Sequence, residues 1–334
     1  MSAFTNQVNA ANGGMLTFGP GQYIVDVPLT VRSALMFDPA ASVEIRAPIT
    51  MGPRSCWGSL TPVQHIIHKI GNFDTFTIVG SDVTIQDVFV DDTQSSGGWD
   101  FVLNTTNSGL ERIAFRRIQT VFSTGLITDN NGPNLIVNLK LEDVLAVSHR
   151  GRGSYLTKAY AYVFLNRCTV SYVGVQEDVS LTNAPAWVFI GAQGLELTSV
   201  DATGNAQVGS TASQYGFYFE NCSAVRLNTV MADTVGGFGL WFGNCQYVQG
   251  STVNSSLCGD TAFVFAHGTK DVFIENFYAS GRRGLPVDRA SNMFYCDGTT
   301  TDICFGKGMT DLTSAPLFGG TAQTDITFTH LYSR

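Results

Sequence analysis

Apolar and polar residues alternate with a period of two along most of this chain, and the alternation is most regular between residues 215 and 284. One phrase occurs there three times, as Gly216–Cys222 (GFYFENC), Gly239–Cys245 (GLWFGNC) and Ala262–Gly268 (AFVFAHG), with successive copies 23 residues apart. A second apolar run follows each copy, and no copy holds a helix-length apolar face. A repeat of this length that is built only of short strands predicts a parallel β-helix.

Two positions inside the repeat predict stacked ladders. Asn221 and Asn244 occupy the same place in their copies, and Cys222 and Cys245 follow them. We interpret these pairs as a structural asparagine ladder and a stack of small apolar side chains, rather than as catalytic groups.

The N-terminal residues predict one short helix, over positions 2–11. Ser2 is a suitable N-cap, Phe4, Val8 and Ala11 share one face, and Gly13 with Gly14 ends the helix. Because the first coil of a solenoid leaves its apolar interior open, we expect this amphipathic helix to cover it.

The segment after the helix carries a resemblance to a known family. It reads GMLTFGPGQYIV from Gly14 to Val25, and the order of helix, Gly-Gly, strand, Gly-Pro-Gly-x-Tyr and strand is similar to the opening of the pectate-lyase-like right-handed β-helix superfamily, which includes phage tailspikes. The residues that match the usual wording of that motif (GGxhxhPPGxYxh) are Gly13, Gly14, Pro20, Gly21 and Tyr23, while Gly19 stands where Pro is often found. The motif concerns architecture and not chemistry.

The repeats and the resemblance together predict an all-β fold. At the spacing of the repeats, the chain would form a single-stranded right-handed parallel β-helix of roughly 11–13 coils. We expect residues 1–12 to form the capping helix and residues 13–334 to form one β-helix domain.

Composition excludes several partners. The net charge of −8 speaks against nucleic acid, since phosphate binding needs a basic surface. No apolar run is long enough for a membrane span, so no membrane insertion is expected, and the N-terminus shows no basic segment followed by an apolar one, so we expect no signal peptide. The seven cysteines are odd in number and form no CxxC pair, which favours reduced thiols and gives no reason to expect a metal site or a cofactor.

Two carboxylates at a suitable spacing would allow glycoside hydrolysis. Val200 and Val230 align as core residues, so alternation turns Asp201 outward and places Asp233 one rung and two residues away. Standard strand spacings put their Cα atoms roughly 8 Å apart, which is compatible with an inverting pair. The alternative is that both are solvated surface acids, because a chain with 27 Asp and Glu offers many pairs.

Breaks in the repeat predict loops on one face, where a binding surface can form. The breaks at Gly174–Asp178 and Gly204–Ser213 point to the middle of the chain. The first of them contributes Glu177 and Asp178, which are further candidates for a catalytic carboxylate. Glu220 also points outward, from a different strand face.

A basic segment, His149–Tyr160, offers the groups that β-elimination needs, namely a base and a cation that neutralises a uronate carboxylate. Within it, Arg150, Arg152 and Tyr155 are candidate substrate-binding residues; the alternative is a solvated loop.

Two aromatic residues complete the predicted substrate-binding set, since indole rings stack on sugars. Trp99 lies in a break of the repeat. Trp241 lies inside the repeated phrase, where either Leu240 or Trp241 would join Phe217 and Phe263 in a core stack.

The resemblance to tailspikes implies a phage-tail enzyme that is made in the host cytoplasm and hydrolyses a bacterial surface polysaccharide, either capsule, exopolysaccharide or O-antigen. It also implies a homotrimer that binds other virion tail proteins. A surface rich in Asn, Gln, Ser, Thr and aromatic residues suits carbohydrate. Two alternatives stay open, a polysaccharide lyase that acts on an acidic polysaccharide and a non-catalytic carbohydrate-binding adhesin or fibre.

Overall fold

The structure, a computed structural model, describes residues 3–11, 13–94, 97–129, 132–148, 152–172, 185–204, 215–281, 292–311 and 317–333. Every pairing between the strands that it describes is parallel, and the chain divides into two compact units, Met1–Tyr160 (unit 1) and Ala161–Arg334 (unit 2).

Unit 1 contains one helix and fifteen strands among its described residues. They are α1 (Ala3–Ala10), β1 (Met15–Phe18), β2 (Gly21–Val25), β3 (Leu29–Val31), β4 (Ala34–Phe37), β5 (Ala41–Ile45), β6 (Ile49–Met51), β7 (Cys56–Ser59), β8 (His65–Lys69), β9 (Phe76–Ile78), β10 (Val83–Asp91), β11 (Phe101–Leu103), β12 (Leu110–Val121), β13 (Gly125–Asp129), β14 (Ile136–Val147) and β15 (Arg152–Tyr155). One sheet runs β1-β4-β7-β10-β12-β14, with β2, β5 and β8 beside its first strands, and a second runs β3-β6-β9-β11-β13-β15.

Unit 2 repeats a simpler coil of one short and one long strand. Its described elements are β16 (Val163–Ser171), β17 (Pro185–Ile190), β18 (Gln193–Thr203), β19 (Tyr215–Glu220), β20 (Ser223–Asp233), β21 (Leu240–Gly243), β22 (Gln246–Cys258), β23 (Phe263–Ala266), β24 (Lys270–Gly281), β25 (Phe294–Cys296), β26 (Thr301–Asp311), β27 (Phe318–Gly320), α2 (Ala322–Asp325) and β28 (Ile326–Ser333). The long strands β16, β18, β20, β22, β24, β26 and β28 form one sheet, and the short strands β17 to β27 form another.

Left-handed residues bend the long strands and so give each coil its third side. Ser199 (φ 54°) and Thr229 (φ 61°) occupy this position in β18 and β20. The pairing is in register on both sides of the bend, with Thr198 opposite Asn228 and Val200 opposite Val230. Asp87, Arg117 and Asp143 occupy the corresponding position in unit 1.

The fold is a right-handed parallel β-helix, as the sequence predicted. Among the described residues, the main sheet has six rungs in unit 1 and seven in unit 2, which agrees with the predicted number of coils. No helix in these described ranges is long and apolar enough to cross a membrane.

The predicted capping helix is confirmed as α1. Phe4 and Val8 are buried, and the Phe4 ring packs against Phe18 at 4.9 Å and Phe37 at 6.0 Å between ring centroids. Gly13 and Gly14, with φ of 86° and 84°, end the helical segment in a conformation that favours glycine. The helix therefore covers apolar side chains of the first two coils.

The predicted ladders of unit 2 are also confirmed. Asn244 Nδ2 donates a hydrogen bond to Asn221 Oδ1 at 2.7 Å, and Cys222 and Cys245 are buried free thiols. The core stack consists of parallel rings whose centroids lie 5.1–5.7 Å apart along Phe189, Phe219, Phe242 and Phe265. Leu240, not Trp241, joins Phe217 and Phe263 in the interior, since it pairs with both and is fully buried.

Candidate functional site

The predicted register of Asp201 and Asp233 is confirmed. In the ladder between β18 and β20, Asp201 lies opposite Met231 and Thr203 lies opposite Asp233. Both aspartates alternate with buried residues, so both side chains lie on the outer face of the sheet, one rung and two residues apart.

The two carboxyl groups have different surroundings. Burial raises the pKa of the Asp201 carboxyl, which favours its protonated form. The main chain at this point is fixed, because the indole N–H of the fully buried Trp187 donates to the Asp201 carbonyl oxygen at 3.0 Å. Asp233 instead accepts a hydrogen bond from the hydroxyl of Ser256 on the next rung. A carboxyl whose protonated form is favoured, one rung and two residues from a carboxyl group that accepts a hydrogen bond, is an arrangement that can supply a general acid and a general base.

A second group of polar and aromatic side chains surrounds Glu220 at the end of β19. Its carboxylate accepts hydrogen bonds from Tyr218 Oη (3.3 Å), Trp241 Nε1 (3.3 Å) and His267 Nδ1 (3.1 Å). The Glu220 side chain is only 16% exposed, whereas the His267 side chain is 57% exposed. One carboxylate therefore joins side chains from three successive rungs.

Small residues make room for this carboxylate. Gly243 and Ala266 follow Glu220 in the same outward column of β21 and β23. A Cβ atom added at Gly243 would lie 1.9 Å from Glu220 Oε2, so the carboxylate occupies the space above the glycine. Any larger residue at position 243 would displace it.

Partly exposed aromatic rings flank the carboxylate. Tyr215 and Phe238 stack in parallel with 4.0 Å between ring centroids, and Tyr218 stacks on Trp241 at 5.9 Å. Trp241 also contacts Phe238 at 5.4 Å and His267 at 5.8 Å. We call this surface the Trp241 cluster, and its members are Tyr215, Tyr218, Glu220, Phe238, Trp241 and His267.

Sequence reasoning missed the role of Glu220 and His267 in this cluster, although the repeat carries a signal for it. His267 stands in the third copy at the place that Asn221 and Asn244 hold in the first two, with the same left-handed backbone (φ 55°). Gly243 and Ala266 likewise stand where the first copy has Glu220. These departures coincide at one point on the surface.

Unit 1 brings three of the predicted substrate-binding residues into one region. Trp99 lies over Gly125 of the next rung, since a Cβ atom added at Gly125 would be 2.5 Å from the indole ring. Gly125 in turn pairs with Arg152 on the following rung. The Arg152 guanidinium carbon is 4.7 Å from the centroid of the Tyr155 ring. Asp74 fixes the turn before β11, because its Oδ1 accepts the Trp99 backbone N–H at 2.8 Å.

The other predicted site residues, Glu177, Asp178 and Arg150, lie outside the described residues. The two histidines of β8 point to opposite faces, with His65 buried and His68 partly exposed. Within the described ranges, no group of three or more His, Cys, Asp or Glu side chains could hold a metal ion.

The structure is similar to that of the catalytic unit of a thermostable GH87 alpha-1,3-glucanase from Streptomyces thermodiastaticus strain HF3-3. The TM-score is 0.56 at 12% sequence identity, and the match covers 99% of this chain and 64% of the glucanase chain. The chain thus spans less than two thirds of the length of that unit. At this identity the likeness shows the fold.

Two weaker similarities have TM-scores below 0.5. The A-module of an Azotobacter vinelandii mannuronan C-5 epimerase gives 0.43 at 10% identity, covering 99% of this chain and 93% of the other. The Dettilon tailspike protein gives 0.42 at 11% identity, covering 86% and 62%. The sequence matches no protein-family model and no curated protein.

Proposed function

We propose that this protein acts on polysaccharide, and that it hydrolyses glycosidic bonds of a bacterial surface polysaccharide, either capsule, exopolysaccharide or O-antigen. The observation that carries the proposal is the pair Asp201 and Asp233, which face outward at one rung and two residues from each other and differ in their surroundings. The shared fold with a polysaccharide hydrolase agrees with it but does not by itself carry a mechanism.

In the proposed reaction, the protonated Asp201 gives its proton to the glycosidic oxygen as the bond between that oxygen and the anomeric carbon breaks. Asp233 takes a proton from a water molecule, whose oxygen forms the new bond to the anomeric carbon from the opposite face. The hydrogen bond from Ser256 orients the Asp233 carboxylate. Proton exchange with solvent then restores both groups, and the anomeric configuration is inverted because the water attacks directly from the face opposite the leaving oxygen.

We further propose that the protein works in a phage tail, as a homotrimer attached to other tail proteins. This part rests on the opening motif, Gly13 to Tyr23, which is similar to that of tailspikes.

The test is incubation of the purified protein with a panel of bacterial capsular polysaccharides, exopolysaccharides and O-antigens. We expect release of reducing ends from at least one of them, with the inverted anomer appearing first in a proton NMR time course. Retention of configuration would overturn the inverting mechanism. Binding without release from any polysaccharide would overturn hydrolysis and favour a non-catalytic adhesin.

A second candidate function is a polysaccharide lyase, and one observation favours it. Arg152 begins the short strand β15 and Tyr155 ends it, and the Arg152 guanidinium lies over the Tyr155 ring. A cation and a phenol that can serve as a base are therefore close together. Products that absorb near 232 nm, the mark of an unsaturated uronate, would establish the lyase and exclude the hydrolase.

A further inference from the structure

We propose that the Trp241 cluster is a binding subsite for one uncharged sugar ring, distinct from the carboxylate pair. The sugar ring would pack against the exposed part of the Trp241 indole, and its hydroxyl groups would donate hydrogen bonds to Glu220 and His267. The proposal rests on the proposed function in taking a saccharide as the ligand, but it does not depend on which bond is cleaved or whether one is.

The surface has the two properties that a sugar ring requires. Trp241 lies between Tyr218 and Val264 in the outward column of the short strands, and it is partly exposed. The exposed part of the indole offers apolar surface to the C–H groups of a pyranose, and the polar groups stand at the edge of the indole. Tyr247, which is 62% exposed and lies on the long strand β22, is a surface aromatic outside this cluster and serves as a comparison.

The hydrogen-bonding capacity of Glu220 leaves an acceptor for the ligand. A carboxylate has about four acceptor sites. Oε2 accepts from Tyr218 and Trp241, and Oε1 accepts from His267, so Oε1 keeps one site. Because the Nδ1 of His267 donates to Glu220, the Nε2 of a neutral imidazole is a second acceptor. Two acceptors at the edge of an indole ring match neighbouring hydroxyl groups of a sugar.

The charge of the cluster selects against acidic sugars. Glu220 lies at its centre with low exposure, which reduces screening by solvent, and Asp297 accepts the His267 backbone N–H, so the site holds two carboxylates beside one imidazole. A uronate carboxylate placed on Trp241 would meet this like charge, whereas a neutral hexose would not. We therefore infer that the sugar bound here is an uncharged hexose, even if the polymer carries acids elsewhere.

The cluster is held in place before any ligand binds. His267 donates its backbone N–H to Asp297 Oδ2 at 2.6 Å, and it continues the corner that Asn221 and Asn244 form on the two preceding rungs. Glu220 is confined by the space above Gly243. Such preorganisation lowers the entropic cost of binding.

The test measures binding on an array of purified bacterial surface polysaccharides with neutral and uronate-containing repeats, using the full chain with Asp201→Asn so that nothing is cleaved. Tryptophan fluorescence serves as a second readout. Trp57 and Trp187 are fully buried, so a change in fluorescence on binding comes from Trp99 or Trp241, and the part of it that Trp241→Ala removes belongs to Trp241. We expect Trp241→Ala to weaken binding roughly tenfold or more, while Tyr247→Ala has no effect.

Two further variants test the polar groups of the Trp241 cluster and leave the Trp241 ring in place. Glu220→Gln should weaken binding roughly tenfold, because it removes a charged acceptor. Gly243→Ala should do the same by displacing Glu220, whereas Gly298→Ala, whose added Cβ would meet only Thr321 Cγ2 at 4.0 Å, should not. Melting temperatures within a few degrees of the parent chain show that the variants fold.

The outcomes separate this proposal from the proposed function. If the parent chain binds polysaccharide and Trp241→Ala binds it equally, the subsite is wrong while the function stands. If Trp241→Ala instead changes the oligomeric state in light scattering and leaves binding intact, the cluster is an interface between copies, and the subsite is again wrong. If the parent chain binds no member of the array, the proposed function fails, and the subsite with it.

Discussion

Asp201 and Asp233 face outward from paired strands, and one rung and two residues separate them. If they are the acid and the base, replacing either by the isosteric amide removes a proton-transfer group without changing side-chain volume. We expect Asp201→Asn and Asp233→Asn each to lower kcat by about 100-fold or more, with nearly unchanged melting temperatures. Release of reducing ends from the polysaccharide measures kcat, and thermal unfolding measures the melting temperature.

The matched control for this pair is Glu196→Gln, since Glu196 also faces outward from β18, on the other side of its bend. It should keep full activity. Full activity in both aspartate variants would contradict the assignment.

The raised pKa of Asp201 makes a prediction about pH. Burial raises this pKa above the ordinary value of about 3.9, so the proton that the reaction uses is still present at a pH where an exposed aspartate has lost it. Activity should fall as the pH rises through the raised pKa, which gives kcat/KM an alkaline limb that belongs to Asp201.

Thr203 offers a way to move that limb. It lies outward, two residues after Asp201 in the same strand. A negative charge there disfavours the ionised form of Asp201, so Thr203→Asp should shift the alkaline limb to higher pH, while Thr203→Asn should leave it in place. A limb that does not respond to Thr203→Asp would show that another group titrates.

The sequence carried most of this geometry because parallel rungs stack equivalent positions. Once Val200 and Val230 were aligned as core residues, the place of Asp233 opposite Thr203 followed from alternation alone. The same argument predicted the asparagine ladder, in which Asn244 donates a hydrogen bond to Asn221.

Contacts between side chains on different rungs could not be predicted from the sequence. The donors on Glu220 come from its own strand and from residues 21 and 47 positions away, and their meeting depends on side-chain torsions that no periodicity encodes. Trp241 was ambiguous for a related reason. Alternation within GLWFGNC allows either Leu240 or Trp241 to point inward, and only the ladder with Phe217 decides for Leu240.

Variants of Trp99 and Arg152 test whether these predicted substrate-binding residues of unit 1 contact the substrate. Both side chains lie near Gly125, and neither is needed for the core. We expect Trp99→Ala and Arg152→Ala to raise KM several-fold with little change in melting temperature, whereas Arg226→Ala in unit 2 serves as a control for loss of a surface cation. Unchanged KM in both variants would remove these residues from the binding surface.

His65 predicts how stability depends on pH. Its Nε2 accepts a hydrogen bond from Trp57 Nε1 at 3.0 Å, and its Nδ1 lies 3.1 Å from the Asp87 carbonyl oxygen, so the neutral ring fits this buried place. Burial lowers the pKa of His65 to about 4. In the unfolded chain His65 has an ordinary pKa of about 6.5 and binds a proton more readily. The contribution of the neutral His65 to stability is therefore complete above pH 6.5 and is lost as the pH falls towards 4.

The loss amounts to about 3 kcal/mol over that window, because each unit of pKa difference corresponds to about 1.4 kcal/mol. Urea unfolding at pH 7, 5.5 and 4.5, followed through the fluorescence of the buried tryptophans, should show it in the parent chain. His65→Gln lowers stability at pH 7 but removes this part of the acid dependence. His68→Gln, in the same strand but partly exposed, should retain it. If the free energy of unfolding falls equally with pH in His65→Gln and in the parent chain, groups other than His65 cause the loss of stability in acid.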